Sequence, residues 1–459
     1  RDAGLTMNTL LRVAKSAPAV QKQLKSYSEL LIDHVWTPKE SPNKNCAPWN
    51  NAMGGYCAML GEPKYFVNGS VFNQPWGRMQ NDGPAINAMV MMQLFDLEGV
   101  DEALLKAAKE KTAEALSWVG YIALDSTIDP WEMLYGQHFW VQAVQRKAMA
   151  LGTALANASV LSGGDAANFE TWTHMLGTLM ERHWIPADGA VTETVARPNW
   201  GPVWPKCLSD GINAARVRPV AEYHPCELDT IVPIGAMVGR LDPGTSLHSW
   251  EVEAFAPYGS RILATAETLV ESMAPSYDVN RADDELGLPG ALIGRYPGDE
   301  YSGVIMSPNF TDPCVGLDCG NPWFLTTNGL AELIYEAAKA SALGKLHQDA
   351  LNSKFLLTAI SLAKPFAERD QPVMIPQGPG AGIELACMLI AGGDGVLKRV
   401  KHHMLEGMHM SEQIYRGGPN YPGVQTGAQF GVRDLTWSYA SLLDALKSRS
   451  EAAQEASCG

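Results

Sequence analysis

Asn321-Pro322-Trp323-Phe324-Leu325-Thr326-Thr327-Asn328-Gly329-Leu330-Ala331-Glu332-Leu333-Ile334-Tyr335-Glu336-Ala337-Ala338-Lys339-Ala340-Ser341 reads as one long helix with its start written into it. A polar residue precedes Pro322, whose missing amide costs nothing in a first helical turn, and apolar residues then recur with helical spacing. The same pattern extends in both directions along the chain. Helices are expected over 4–15, 19–35, 84–98, 102–120, 137–161, 166–183, 228–240, 257–273, 321–341, 346–364, 382–405 and 434–447. Asp82-Gly83-Pro84 repeats the cap-and-proline signature, and Asp434 is expected to cap the last helix. Between the helices run Gly-, Pro- and Trp-rich connections at 37–83, 185–226, 275–320, 365–381 and 411–433. These exceed the ~2–8 residues that usually join packed helices, and long loops on a helical scaffold carry function. Strand signals such as Pro63-Lys64-Tyr65-Phe66-Val67 are short, so small hairpins at most are expected. With no repeat and no linker, the chain reads as one all-α domain of antiparallel helices, its loops gathered at the helix ends.

Composition supports a large packed core. Of 459 residues, 46% are hydrophobic, 13 are Trp and only 19% are charged, which excludes disordered, collagen-like and coiled-coil chains. Asp and Glu number 50 against 35 Lys and Arg, and the net charge of -15 repels phosphate backbones and anionic lipid, so no nucleic-acid or membrane partner is expected. No run reaches the ~18 apolar residues a membrane span needs. The sequence opens at Arg1 without Met or signal peptide, which reads as a processed start.

Six of the eight cysteines, Cys46, Cys57, Cys207, Cys226, Cys314 and Cys319, form three loop-bound pairs close in sequence that suit disulfides. Cys387, inside the apolar run Leu385 to Ile390, is expected to be a buried thiol. Sequons at Asn68, Asn157 and Asn309, together with the loop cysteines, favour a secreted glycoprotein. No metal is expected: no CxxC or HExxH occurs, and the adjacent His402 and His403 should point to different faces of a helix and be solvated. Gly378-Pro379-Gly380-Ala381-Gly382 follows no strand and reads as a turn before a helix, not a phosphate cradle. No GxSxG elbow supports acyl chemistry.

What remains is acids set among aromatics. In Asp129-Pro130-Trp131-Glu132-Met133, a carboxyl beside Trp131 and Met133 would be partly desolvated, which raises its pKa and suits a general acid. The alternative is that Glu132 caps a helix or pairs with an Arg. Glu412, in Met410-Ser411-Glu412-Gln413, would pair with it as the base that activates water, completing the two-carboxylate arrangement of glycoside hydrolysis. Sugar faces ask for flat apolar surfaces and fixed donors. Trp76-Gly77-Arg78, Arg295-Tyr296-Pro297-Gly298-Asp299, Asn321-Pro322-Trp323 and Trp437 offer them, against the plainer reading of core tryptophans and an Arg295–Asp299 ion pair.

Eight ordered stretches resemble the glucoamylases, glycoside hydrolase family fifteen. They are Arg1 to Leu5, Leu60 to Lys64, Trp76-Gly77-Arg78 through Ala85, Asp129 to Glu132, Gly294-Arg295-Tyr296-Pro297, Gly320 to Leu325, Ser411-Glu412-Gln413 and Asp434 to Ala440. The resemblance implies an (α/α)6 barrel, a six-hairpin toroid, over residues 1–447. A polar tail at 448–459 follows, with no starch-binding module. It implies a secreted monomer that needs no metal or organic cofactor. Such an enzyme removes β-D-glucose with inversion from the non-reducing ends of starch and maltooligosaccharides, at α-1,4 and more slowly α-1,6 linkages. Glu132 then resembles the general acid and Glu412 the general base, roles that demand a separation of ~6.5–9.5 Å. Arg1, Asp2, Arg295 and the Pro130 carbonyl would hold the terminal glucose. Trp76, Trp131, Trp323 and Trp437 would line the pocket, with Arg78, Asp129 and Gln413 orienting acid, base or sugar and Asp299 completing the Arg295 signature. Departures lie at Met133, where the family usually has a second Glu, at Met79 and Asn81, and in segment 185–226. The family carries an aromatic-rich stretch before the Arg-Asp pair, so the N-terminal portion is expected to be truncated. A linkage preference for isomaltose, dextran or trehalose, or a non-catalytic glucan-binding barrel, stay open as alternatives.

Overall fold

A computed structural model describes residues 1–36, 60–72, 80–161, 164–195, 228–241, 253–303, 319–369, 373–421 and 423–458. Trp76, Arg78, Met79, Asn309 and five of the cysteines, Cys46, Cys57, Cys207, Cys226 and Cys314, lie outside these residues. Thirteen α-helices and seven short strands occur among the described residues. In chain order they are α1 (Asp2–Ala14), α2 (Pro18–Leu30), α3 (Gly83–Met92), α4 (Glu102–Ile122), β1 (Thr127–Ile128), β2 (Tyr135–His138), α5 (Phe139–Asn157) and α6 (Ala166–Met180). There follow β3 (Trp184–Ile185), β4 (Ala190–Val191), β5 (Thr194–Val195), α7 (Ile231–Val238), α8 (Ser260–Met273), α9 (Asp278–Glu285) and α10 (Phe324–Ala342). The chain closes with α11 (Ser353–Ser361), α12 (Ala381–His403), β6 (Gln413–Ile414), β7 (Gln429–Phe430) and α13 (Thr436–Ala456). The expectation of helices with small hairpins is met, and Tyr65 and Val71 make one isolated bridge where a strand was read at 63–67.

The chain divides into two compact units. The first comprises Arg1–His183, Thr194–Leu208 and Val238–Val252. In it α5 packs on α6, and α3 packs on α1, α4 and α5. Every residue of α3 from Pro84 to Met92 is buried, as expected of a helix apolar on all faces. An antiparallel sheet in the order β1-β2-β5 lies beside these helices. His138 joins its strands: Nε2 lies 3.0 Å from the Thr127 carbonyl and Nδ1 2.9 Å from Thr194 Oγ1. Burial holds the His138 pKa below its usual value, so the ring is neutral, donating from Nε2 and accepting at Nδ1.

The second unit comprises Trp184–Glu193, Ser209–Met237 and Glu253–Gly459. Its axis is α10, buried on nearly every face between α12 and α13. Polar residues on α10 are tied to both neighbours. Asn328 donates to the Ser438 carbonyl at 3.2 Å and Ser441 Oγ at 3.1 Å, Tyr335 donates to Asp394 at 2.7 Å, and Glu336 accepts from Ser448 at 2.9 Å. On α12, Gly392 and Gly395 let the helix touch α11 and the turn after it, since a Cβ at either would strike the carbonyl of Ala359 or Leu362.

Several expectations are corrected. Gln137 and His138 belong to β2, so α5 starts at Phe139; α11 covers only the middle of 346–364; and α9 lies inside the connection read at 275–320. Residues 448–456 are not a tail but the last turns of α13, with Ser448, Ala452 and Ala456 buried. Cys387 is not a buried thiol. It bridges Cys458 across 71 residues, because it sits half-buried at the margin of α12's apolar stripe, where the end of α13 passes with its Cα 5.7 Å away. His402 is exposed as expected, but His403 is buried. Asp434 caps nothing: it accepts from Tyr439 Oη and pairs with His409 Nδ1 at 2.8 Å.

Glu267, on α8, is 4% exposed, and one of its oxygens has no partner. Burial pushes its carboxyl up from the ordinary glutamate range to about 7. The folded state therefore holds a proton that the unfolded state has released, and stability falls as pH rises through that window. Glu267→Gln should match the wild type below the window and exceed it by roughly 1–3 kcal/mol near pH 8, read from urea midpoints across pH. A difference that does not change with pH would refute the assignment.

Candidate active site

In the first unit the antiparallel pairs Thr127↔Gly136 and Ile128↔Tyr135 close a hairpin whose loop is 129–134. Its irregular backbone is held by one buried carboxylate. Asp129 Oδ1 accepts from the amides of Met133 at 2.6 Å and Leu134 at 2.7 Å, and Oδ2 from that of Trp131 at 3.3 Å. The amide of Glu132 donates to the Asp129 carbonyl at 3.0 Å, and Glu132 itself stands at φ 64. A left-handed backbone costs a non-glycine residue ~1–3 kcal/mol and persists only where its surroundings impose it.

The Glu132 side chain is 30% exposed, partly withdrawn from solvent as expected; of its two neighbours Trp131 is buried, whereas Met133 is 40% exposed. Its Oε1 accepts from Gln80 Nε2 at 2.9 Å and lies 3.7 Å from Arg1 Nη2. Arg1 Nη1 donates to Gln80 Oε1 at 2.9 Å and contacts Asp82 Oδ2 at 3.5 Å, while its Nε donates to Asp2 at 3.1 Å. Trp140 Nε1 also donates to Asp82, at 2.8 Å, so this residue at the start of α3 serves the network instead of capping the helix with its side chain. A cavity of about 430 Å³ opens here, lined by Arg1, Asp2, Lys64, Gln80, Asp82 and Glu132 among others. That is a size suited to a small ligand.

In the second unit, Glu412 precedes β6, which pairs with β7 in the register Gln413↔Phe430. The Glu412 amide donates to the Val432 carbonyl at 2.8 Å, and Trp323 bridges to Gln413. Gly431, at φ 74, leaves the room that Glu412 Oε2 occupies, since a Cβ there would stand 2.5 Å from it. The Glu412 carboxyl is 8% exposed and accepts from Tyr301 Oη at 3.2 Å. Burial raises its pKa above the ordinary glutamate value, and the Tyr301 hydrogen bond opposes the rise.

Beside it, Arg295 and Asp299 form the buried bidentate pair of the plainer reading, with contacts of 2.8 and 2.6 Å. Asp299 holds the guanidinium charged against its burial. Asp299 Oδ1 also accepts the Tyr301 amide at 2.8 Å. The Arg295 guanidinium lies 4.9 Å from the Tyr301 ring centre and 5.3 Å from that of Trp323. Asn321 is a tie rather than a helix cap: Nδ2 donates to Gln413 Oε1 at 2.8 Å and to the Ser302 carbonyl at 2.9 Å, and Oδ1 accepts the Arg416 amide at 2.9 Å. Ser438 donates to the Ser411 carbonyl at 3.0 Å, which fixes the start of α13, with its buried Trp437, to the residue before Glu412.

Among the sequence-derived site residues, Arg1, Asp2, Asp129, Pro130, Trp131 and Glu132 thus stand in the first unit. Arg295, Asp299, Trp323, Glu412, Gln413 and Trp437 stand in the second. Sequence reasoning missed Gln80, Asp82 as a polar hub, and Tyr301. The only signal was position: Gln80 sits inside the quoted 76–85 stretch, and Tyr301 two residues past Asp299. Tyr301→Phe removes a donor to the Glu412 carboxylate, so Glu412 should titrate higher than in the wild type, measured by carbon NMR of labelled glutamate. An unshifted titration would show that the contact does not stabilise the charge.

A family model described as glycosyl hydrolases family 15 matches residues 1–447. A glucoamylase of Blastobotrys adeninivorans is 28% identical over 98% of this chain and 64% of its own length. Glucoamylase 1 of Rhizopus oryzae is 27% identical over 97% of the chain and 63% of its own. The chain therefore spans just under two thirds of each of these two relatives. The solved family 15 glucoamylase of Hypocrea jecorina superimposes with a TM-score of 0.69 at 18% identity, covering 99% of this chain and 66% of that one, a likeness of fold.

Proposed function

The chain belongs to glycosyl hydrolases family 15, and on that premise we propose that it is an exo-acting, inverting glucan hydrolase of the glucoamylase type, built on an (α/α)6 barrel. It releases β-D-glucose from the non-reducing ends of starch and maltooligosaccharides, at α-1,4 and more slowly at α-1,6 linkages. Glu132 donates its proton to the glycosidic oxygen as the bond to the anomeric carbon breaks. Glu412 takes a proton from the water that attacks the opposite face of that carbon, so the configuration inverts. Arg1, Asp2 and Arg295 bind the hydroxyls of the terminal glucose. The observation that carries the reading is the held conformation of Glu132, a carboxylate at φ 64 on a hairpin tip with Gln80 on its Oε1. The raised titration of Glu412 makes its ionised form a stronger proton acceptor, which supports its role as the base. Disulfide-bonded Cys319, Cys387 and Cys458 favour an oxidising, extracellular setting. Met133, 40% exposed beside the acid, supports a second reading in which linkage preference departs from α-1,4; initial rates on maltose, isomaltose and trehalose separate the two.

Proton NMR of fresh maltose with the protein should show β-glucose before mutarotation, and α-glucose appearing first would overturn the inverting assignment. Glu132→Gln should abolish turnover while sugar binding persists, and Glu412→Gln should cost orders of magnitude in rate. Either variant retaining more than about a tenth of the wild-type rate, a barrier change below ~1.4 kcal/mol, refutes the role given to that residue. Since Glu412 acts ionised, kcat/KM should fall as pH drops through its raised pKa, placing the acidic limb above the ~4.3 of free glutamate.

A further inference from the structure

Helix α12 ends in two histidines that the mechanism does not use. His403 is buried with both ring nitrogens engaged: Nδ1 lies 2.9 Å from the Gly427 carbonyl and Nε2 2.9 Å from Asp283 Oδ2, on α9. A carbonyl oxygen only accepts, so Nδ1 carries a hydrogen. In the neutral ring Nε2 is then a bare lone pair, and it faces a carboxylate oxygen, a second lone-pair carrier. Two acceptors at that distance require a cation between them, either a proton or a metal ion.

The surrounding charges leave that place open. Asp283 and Asp284 carry two negative charges, and Arg399 is the neighbouring guanidinium. Arg399 spends its hydrogen bonds on Asp284, Asn280 and the carbonyls of Leu288 and Pro289, and its Nε stays 3.8 Å from Asp283 Oδ2. His402, next in the chain but exposed, turns its ring to within 5.0 Å of His403. One ligand atom from each of Asp283, His402 and His403 lies within 4.8 Å of the other two.

We propose that Asp283, His402 and His403 form a site for one divalent transition-metal ion of the zinc type. Two imidazoles and a carboxylate are a borderline-soft donor set suited to such an ion, with solvent completing the coordination beside exposed His402. The Nδ1–H to carbonyl hydrogen bond of His403 is the outer contact that ligating histidines make, fixing the tautomer that aims Nε2 at the metal. The backbone is shaped for it: Gly427 stands at φ 83, and a Cβ there would come within 2.8 Å of the His403 ring. The ion would fasten the end of α12 to α9.

Isothermal titration of chelator-treated protein with zinc chloride tests this. The wild type should bind one equivalent saturably. His402→Ala, at an exposed position, should weaken binding at least about tenfold while leaving the fold intact by circular dichroism. His409→Ala, at a surface histidine paired with Asp434, should bind as the wild type does. Absence of saturable binding in the wild type would show that a proton alone fills the place, and unchanged affinity in His402→Ala would put the metal elsewhere; either overturns the proposal.

Discussion

Three backbone amides converging on the carboxylate of Asp129 set the terms for the candidate residues of the first unit. Long connections between helices cannot satisfy their own amides by regular pairing, and a buried amide left unpaired costs ~1–3 kcal/mol. The chain meets that demand with side chains. Asp129 does so around Glu132, Asn321 between Ser302, Gln413 and Arg416, and Arg399 on the carbonyls of Asn280, Leu288 and Pro289. Each of these residues is a fastening first, and the chemistry stands on what it fastens.

In the second unit the same logic is electrostatic. A guanidinium as buried as Arg295 would be untenable alone, and removing one partner of such a pair typically costs ~3–5 kcal/mol. Asp299 supplies the counter-charge in bidentate geometry and also pins the amide of Tyr301, whose hydroxyl reaches Glu412. One aspartate thereby aligns a cation, an aromatic ring and a carboxylate. The rings of Tyr301 and Trp323 lie within cation–π distance of the guanidinium.

Helices were legible because burial imposes their period, and α10 most of all, since nearly every position on it is covered. Their ends were less so. Asn321, Asp82 and Asp434 all carry the signature of a cap, yet each spends its side chain on a distant partner, and local pattern does not distinguish the two uses. The acids among aromatics were readable, as Glu132 and Glu412 stand beside buried Trp131 and on a built strand end. Gln80 and Tyr301 were not, because their roles arise from contacts made 52 and 111 residues away in sequence. Cys387 and His403 were misjudged for a related reason: an apolar run says that a face is covered, not what covers it. Cys458 and Asp283 come from elsewhere in the chain.

The left-handed backbone at Glu132 has a bearing on how this molecule would respond to selection. Glycine takes that conformation without penalty and asparagine with little, so both would relax the turn. With Glu132 as the proposed proton donor, a library screened for heat resistance alone would drift toward losing the glutamate, and its most robust clones would be its least useful ones. Only a screen that demands turnover in every round holds the residue in place against the pull of its own backbone.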